Sequence, residues 1–435
     1  MTFDLLIHNG ILITVNPDFE IIENGFVGIN DSLIVAVGST QNQSLPEANK
    51  TIDAMGGMIM PGLVNTHTHL PMTLFRGLAD DLPLMDWLNN HIFPAEAKRI
   101  NPASAKAGAL LGCAEMLLSG TTTCCDGYFH EDSVTQAILE SGMRGVAGQG
   151  VIDFPAPGVP DPSENIQAAT DFVLKYKGMS GRLHPSIFCH SPYTCSKHTL
   201  KKAKEAAIRL GVLFQIHLAE TRGEVEQIQA EHQVSPTRYL SDLGLLDQNT
   251  LLIHAVWVDE NDIELIKKSQ ASISVNTQSN MKLASGIAPV AKFLEAGIPV
   301  GLGTDGCASN NDLDLFREMD MTAKLHKVHA MDPTVLDAKT VLKMATINGA
   351  KALGLDHEIG SIEPGKKADI LIIDTRKPHL TPLYHPVSHL VYAASGSDVR
   401  HVFVAGKRIV KDYTLTTLDL DEVMDGIKKA VMSDE

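Results

Sequence analysis

The stretch Met58-Ile59-Met60-Pro61-Gly62-Leu63-Val64-Asn65-Thr66-His67-Thr68-His69 decides the fold. An apolar run meets a Pro-Gly break and then presents two histidines with one residue between them. On a strand, positions i and i+2 share a face, so His67 and His69 would aim two imidazoles at one point. That is how a strand end begins a metal site. The competing reading is a pair of exposed loop histidines, and in a chain with 18 histidines the dipeptide spacing alone does not choose between them. The rest of the chain has to supply further ligands.

Downstream, short apolar runs alternate with longer amphipathic stretches. Strands are expected at 59–65, Thr121–Cys125, Gly145–Val151, Ser186–His190, Leu213–His217, Thr250–His254, Ser272–Val275 and Pro299–Gly303. Helix-period segments such as Ser104–Leu118, Lys201–Leu210 and Lys343–Leu353 lie between or after them. Eight strands with crossover helices predict a distorted (β/α)8 TIM barrel, whose chemistry sits at the C-terminal strand ends. A doubly wound open sheet is the alternative architecture.

Both chain ends read as β structure. Leu5–Val15 reads as a hairpin with its turn at Asn9-Gly10, and Phe26–Ile29 and Leu33–Gly38 continue the pattern. Near the other end, Ile370–Asp374 is an apolar strand, and Val399–Val404, Ala405-Gly406 and Lys407–Val410 form a hairpin. Neither end holds a core alone, so the two are expected to pair into a small β-sandwich. The expected domains are 1–58 and 359–435 for that sandwich, with 59–358 as the barrel. Leu418–Val431 reads as an amphipathic closing helix.

Composition narrows the function. The 435 residues carry a net charge of −16, which argues against a nucleic-acid partner, because polyanion binding needs concentrated Lys and Arg. The start Met1-Thr2-Phe3-Asp4-Leu5 lacks a signal peptide's basic and apolar regions, and no apolar run reaches membrane-spanning length. Six cysteines without a Cys-x-x-Cys pair read as reduced core residues of a cytoplasmic protein.

The further ligands fall where a barrel needs them. The fifth strand ends in His217, the sixth in His254, and Val300-Gly301-Leu302-Gly303-Thr304 leads to Asp305. Singly, each could be a hydrogen-bonded core-edge residue. Together with His67 and His69 they supply three imidazoles, a carboxylate and an outer imidazole, a set that suits one Zn2+, with Fe2+ also compatible. Glu220 follows His217 by three residues, and Thr221-Arg222-Gly223-Glu224 fits a capping box that starts a helix beside it. Glu220 is either an acid complementing the helix dipole or a proton-transfer group at the metal. Gly301-Leu302-Gly303-Thr304-Asp305-Gly306 imitates a dinucleotide-binding loop, but Asp305 would put a carboxylate where a pyrophosphate should sit.

These residues resemble the amidohydrolase superfamily, and the resemblance runs along nearly the whole chain, including Glu363–Asp369. More narrowly, Phe75–Leu88, Ile92–Glu96, Ser279–Gly286 and Asp305–Asn311 are similar to the 5′-methylthioadenosine/S-adenosylhomocysteine deaminases. The resemblance implies metal ligation by His67, His69, His217 and Asp305. It also implies substrate contacts from Glu96, to ribose hydroxyls, and from His190 and Glu220. Binuclear relatives carry a bridging lysine at the fourth strand end. Here Phe188-Cys189-His190 stands there, which implies a single metal.

Two departures stand out. Val275-Asn276-Thr277 occupies the place where relatives show His-x-Pro, and no arginine is evident for a homocysteine carboxylate, Arg144 lying beside Gly148-Gln149-Gly150. The expected activity is hydrolytic deamination of an adenine nucleoside, methylthioadenosine or adenosine before S-adenosylhomocysteine. Asp305 would take a proton from water, His254 would orient the nucleophile, and Glu220 would protonate the purine ring. Trp87 and Phe75 could cover an apolar 5′ end, although Trp87 could equally be a packing residue. The alternatives are a triazine or other heteroaromatic hydrolase, a guanine-type deaminase and, more remotely, a non-catalytic binding barrel. A homo-oligomer is expected only by analogy with relatives.

Overall fold

A computed structural model describes residues 2–41 and 44–432, so residues 433–435 of the expected C-terminal segment lie outside it, as does Met1. Eight strands follow one another in chain order around a parallel barrel: Leu63–Thr68, Thr121–Tyr128, Arg144–Val151, Leu183–Cys189, Phe214–Leu218, Thr250–His254, Ser272–Val275 and Val300–Leu302. The pairings from the third strand through the eighth are parallel. Parallel neighbours need a crossover between them, and the helices Pro102–Leu118, Asn165–Tyr176, Lys197–Leu210 and Glu260–Ser269 are among those that supply it. Almost every barrel-strand residue is buried, the signature of a sheet covered on both faces.

The expected single strand at 59–65 is two strands. Met58–Pro61 pairs antiparallel with Ile370–Ile373, while Leu63–Thr68 enters the barrel. Between them the Gly62 N–H donates to the Asp369 carbonyl at 2.9 Å and Leu63 N–H to the Gly120 carbonyl at 3.1 Å. The run changes partners at Gly62, so one continuous apolar pattern serves two sheets.

The expected hairpin at Asn9-Gly10 is also corrected. Phe3–Ile13 is one strand, and Asn9, at φ +58°, lies where its register shifts. On one side of that shift, Phe3–His8 pairs in parallel with Ala48–Asp53, and on the other Ile11 and Leu12 pair in parallel with Met58 and Ile59. Two parallel partners outweigh the local turn preference and make Asn-Gly a bulge. The strands from both chain ends join in one mixed sheet. Its core gathers Ile7, Leu12, Ile29, Ile59, Ile370, Ile372 and Phe403. The C-terminal hairpin is Val399–Val404 with Lys407–Lys411, and the last helix is Leu420–Met432. The expected helix over Lys343–Leu353 is broken at Thr346 into Ala338–Met344 and Ile347–Ala352.

Two compact units result. One comprises Met1–Val64, Ala114–Thr123 and Asp314–Asp419, and the other Asn65–Cys113, Cys124–Leu313 and Leu420–Glu435. Among the described residues no helix is long and apolar enough to cross a membrane.

Within the second unit the eighth strand meets the first through specific bonds. Asp305 N–H donates to the His67 carbonyl at 3.0 Å, and Asn65 Nδ2 donates to Thr304 Oγ1 at 2.7 Å. Gly303 allows this approach. A Cβ there would collide with Asn276 Oδ1 and stand 2.9 Å from the His67 nitrogen. Gly303→Ala is therefore expected to cost roughly 1–3 kcal/mol. Urea unfolding measures this, and an unchanged midpoint would refute the account.

Candidate metal centre and substrate pocket

His67 and His69 leave the first strand on the same side, with ring centroids 4.6 Å apart. His217, from the fifth strand, brings its Nε2 within 3.3 Å of His67 Nε2. One ligating atom from each of the three histidines lies within 4.8 Å of the others. Asp305 Oδ1 stands 3.5 Å from His67 Nε2 and 3.4 Å from His69 Nε2. These four expected ligands thus come together from the first, fifth and eighth strand ends, across 238 residues of sequence.

The protonation states suit a cation. Burial lowers the pKa of His67 to about 3, lowers that of His69, and pushes that of His217 well below the imidazole range. These rings are neutral and carry lone pairs. His69 Nδ1 bonds the Gly127 carbonyl at 2.6 Å, which makes that nitrogen the donor and leaves Nε2 open toward the centre. Burial opposes the charge on Asp305, but the hydrogen bond from His67 and the neighbouring imidazoles outweigh it and hold the carboxyl well below its usual range. Its other oxygen, Oδ2, accepts Ser279 Oγ–H at 2.7 Å and Ser309 Oγ–H at 2.9 Å. Three imidazoles and one anchored carboxylate form a donor set that could hold a divalent metal ion. The fourth strand end carries His190 in place of a bridging lysine, and its Nδ1 bonds Thr194 Oγ1 at 2.9 Å.

His254 stands beside this centre, its ring 5.2 Å from that of His217. Its Nε2 lies 3.7 Å from Glu220 Oε2. On the far side, its Nδ1 faces Asn280 Oδ1 at 2.9 Å and Asn276 Nδ2 at 3.1 Å. The seventh-strand departure thus places an amide against His254. Burial pushes Glu220 up, and the charge of Asp305 adds to this, against the opposing influence of His254.

The expected capping box is half formed. Thr221 Oγ1 accepts the Glu224 N–H, but the Glu224 carboxylate turns back to accept the Ala219 N–H at 2.8 Å and the Glu220 N–H at 2.9 Å. Glu224 fixes the backbone that carries Glu220. The Thr-x-x-Glu motif announced this residue and assigned its carboxylate to the wrong amide.

One cavity is lined by His69, His217, His254, Glu220 and Asp305 and also by Glu96, Trp87, Tyr128 and His190, the His190 ring standing 5.2 Å from that of His217. Glu96 is buried and accepts the Tyr128 hydroxyl, and burial raises its pKa to about 7. Trp87 does both things the sequence allowed: it lines the cavity and packs with Met72, Phe75 and Ile92, its indole N–H donating to the Ala79 carbonyl at 3.0 Å. Phe75 is in that cluster but not on the cavity wall, which corrects its expected role. Arg144 is buried away from the cavity and donates to the Gly181 carbonyl at 2.9 Å. Sequence reasoning gave no role to Tyr128, Asn276, Asn280, Ser279 or Ser309: the first four act through partners distant in the chain, and Ser309 reaches Asp305 only because the loop after the eighth strand turns back on it.

A model of the Amidohydrolase family matches residues 58–409. The 5-methylthioadenosine/S-adenosylhomocysteine deaminase of Syntrophobacter fumaroxidans is 47% identical, over 98% of this chain and 97% of that protein. The 5′-deoxyadenosine deaminase of Methanosarcina barkeri is 45% identical, over 98% and 97%. Among solved structures, a zinc-bound adenosine deaminase from Xanthomonas campestris superposes with a TM-score of 0.96 at 36% identity, covering 99% of this chain and 98% of that one. From the geometry, metal analysis of the intact protein is expected to find about one divalent ion per chain, and His217→Ala less than a tenth of that. Two ions per wild-type chain would refute the single centre.

Proposed function

This chain belongs to the amidohydrolase family, and on that premise we propose that it is a zinc-dependent hydrolytic deaminase of adenine nucleosides, releasing ammonia and the inosine analogue. One observation carries the reading above all: a buried carboxyl group with a raised pKa, Glu220, stands beside His254 and the three-imidazole centre. A carboxyl whose pKa is raised by burial is better fitted to give a proton near neutral pH than an ordinary glutamate. The names of the relatives, deaminases of methylthioadenosine, S-adenosylhomocysteine and 5′-deoxyadenosine, support the same reaction class.

His67, His69, His217 and Asp305 would hold the ion. Zinc is favoured by the donor set and by the zinc-bound structural relative, and iron is the second choice. When bound, such an ion supplies Lewis acidity that brings the pKa of water down to about 7. The protein groups do the rest. Asp305, held anionic, accepts the proton of the attacking water. His254, braced by Asn276 and Asn280, orients that water. Glu220 gives its proton to the purine ring nitrogen, so attack at C6 develops no uncompensated charge on the ring. The proton gathered by Asp305 then goes to the C6 amino nitrogen, ammonia leaves, and the C6 hydroxyl gives its proton back to the Glu220 carboxylate as it becomes the carbonyl of the product.

On the same cavity wall Glu96 accepts the two ribose hydroxyls, since a carboxylate offers acceptors for a vicinal diol. His190 and Trp87 wall the nucleoside. Leu88, Phe93, Phe154, Pro155 and Pro157 line the same cavity and offer an apolar seat to a 5′ substituent. A hydrogen or methylthio group fits that chemistry better than a zwitterionic homocysteine. The expected order is therefore 5′-deoxyadenosine or methylthioadenosine ahead of S-adenosylhomocysteine. The residues given these roles lie between 67 and 305, inside the proposed catalytic segment 59–358. Six buried cysteines outside any disulfide suit a reducing cytoplasm.

An ammonia-release assay over these nucleosides, guanine and a halo-triazine tests the reading, and consumption of the triazine alone would overturn it. Glu220→Gln should lower kcat at least a hundredfold while leaving zinc content intact. Lost zinc would make Glu220 structural. Glu96 gives a pH dependence whose sign follows from its raised pKa. Below about 7 the empty site holds the neutral acid, and above it the diol-binding carboxylate. KM should fall about tenfold from pH 6 to pH 8, and a 2′,3′-dideoxynucleoside should not show this fall. The same fall for both nucleosides would remove Glu96 from the ribose.

A further inference from the structure

Two fully buried acids, Asp126 and Glu131, take no part in the chemistry above. Asp126 lies in the second barrel strand, and Glu131 opens the helix Glu131–Ser141 that follows it. Asp126 Oδ1 accepts the Leu70 N–H at 2.6 Å. The carbonyl of the next residue, Gly127, accepts the His69 Nδ1–H at 2.6 Å. Two consecutive residues thus grip two consecutive residues, one bond fixing the His69 ring and the other the peptide that follows it. The backbone carbonyl of Asp126 also receives Gln215 Nε2–H at 3.4 Å, from the strand that carries His217.

The remaining carboxyl oxygens pose a problem. Asp126 Oδ2 is buried and, taken as an acceptor, meets no donor, and the buried Glu131 carboxyl has only the Gly148 N–H near it. Two carboxylates cannot both stay ionised side by side in a dry interior. Burial pushes Asp126 up to about 7 and Glu131 well above the carboxylate range, the charge of Asp126 adding to the latter. A proton between the two groups supplies the missing donor.

We propose that Asp126 and Glu131 share one proton, Glu131 donating it to Asp126 Oδ2, and that this acid pair is the positioning device for His69. The proposal rests on the reading of His69 as a metal ligand. Held as acceptor by the protonated Glu131, the Asp126 carboxyl keeps its other oxygen on Leu70 N–H. The strand segment that ends in Gly127 then stays where its carbonyl selects the His69 tautomer.

The pair is tested by zinc affinity, measured on the full chain by chelator competition, with the melting temperature of the zinc-free protein as control for folding. Glu131→Gln replaces the shared proton with an amide N–H and is expected to bind zinc within threefold of wild type. Glu131→Ala strands the Asp126 carboxylate and is expected to bind zinc about 10- to 100-fold more weakly. Infrared difference spectra of wild type minus Glu131→Gln, which do not depend on the alanine variant folding, should show a protonated-carboxyl C=O band. The proposal is overturned if that band is missing, or if both variants bind zinc like wild type. It is equally overturned if Glu131→Gln is impaired as much as Glu131→Ala, the result expected of a cation between two carboxylates. A wild-type chain that takes up no zinc but shows the band would remove the ligand role of His69 and the proposal with it. Ammonia release is measured separately, so a chain that binds zinc and deaminates no nucleoside would leave the pair standing and fail the proposed activity alone.

Discussion

Asp305 is the constraint on which the rest of the site depends. Its N–H binds the His67 carbonyl at 3.0 Å, its Oδ1 faces His67 and His69, and its Oδ2 is pinned by Ser279 and Ser309. The same residue therefore joins the last barrel strand to the first and supplies the one carboxylate among the ligands. It does so at φ +61°, a left-handed conformation uncommon for a residue with a side chain. His254, on the sixth strand, has φ +73°. The active rim is thus built partly from residues held in unfavourable backbone wells by the bonds around them, which is where such wells tend to occur.

Burial disfavours the charge on every acid of this site, and the groups that face each one decide whether it stays charged. Asp305 is surrounded by imidazoles and serine hydroxyls and stays charged, whereas Glu220 and Glu96 face fewer compensating groups and are pushed up. One cavity accordingly holds a base, an acid and a carboxyl poised near neutrality. The division needs no lysine or arginine on the cavity wall. Hydrogen bonds and desolvation suffice.

Much of this was legible in the sequence because the barrel turns alternation into geometry. His67 and His69 share a face by strand period, and His217, His254 and Asp305 each close an apolar run. What stayed hidden depended on partners far away in the chain. Asn9-Gly10 carries the local chemistry of a hairpin turn, yet parallel pairing with residues 48–53 and 58–59 makes it a bulge. Met58–Thr68 reads as one strand, and only the bond from Gly62 N–H to the Asp369 carbonyl reveals the change of sheet. Val275-Asn276-Thr277 reads as a stretch that has lost the imidazole of His-x-Pro, whereas the fold turns its Asn276 into a brace for His254. The Asp126–Glu131 pair has no sequence signature, since two acids five residues apart become neighbours only through the strand-to-helix turn between them.

The pairing of Met58–Pro61 with Ile370–Ile373 has a consequence for how the chain is made. A ribosome delivers the N-terminal strand some 300 residues, and tens of seconds at about 5–20 residues per second, before its antiparallel partner exists. During that interval the apolar edge of Met58–Pro61 is open to other chains, the situation in which strands aggregate. The ligand-bearing strand begins two residues further on, so its register is secured from that side only late in synthesis. Biogenesis of this enzyme is therefore the stage at which dependence on chaperones should be greatest, and an engineered shortening of its C-terminal end would expose that edge permanently.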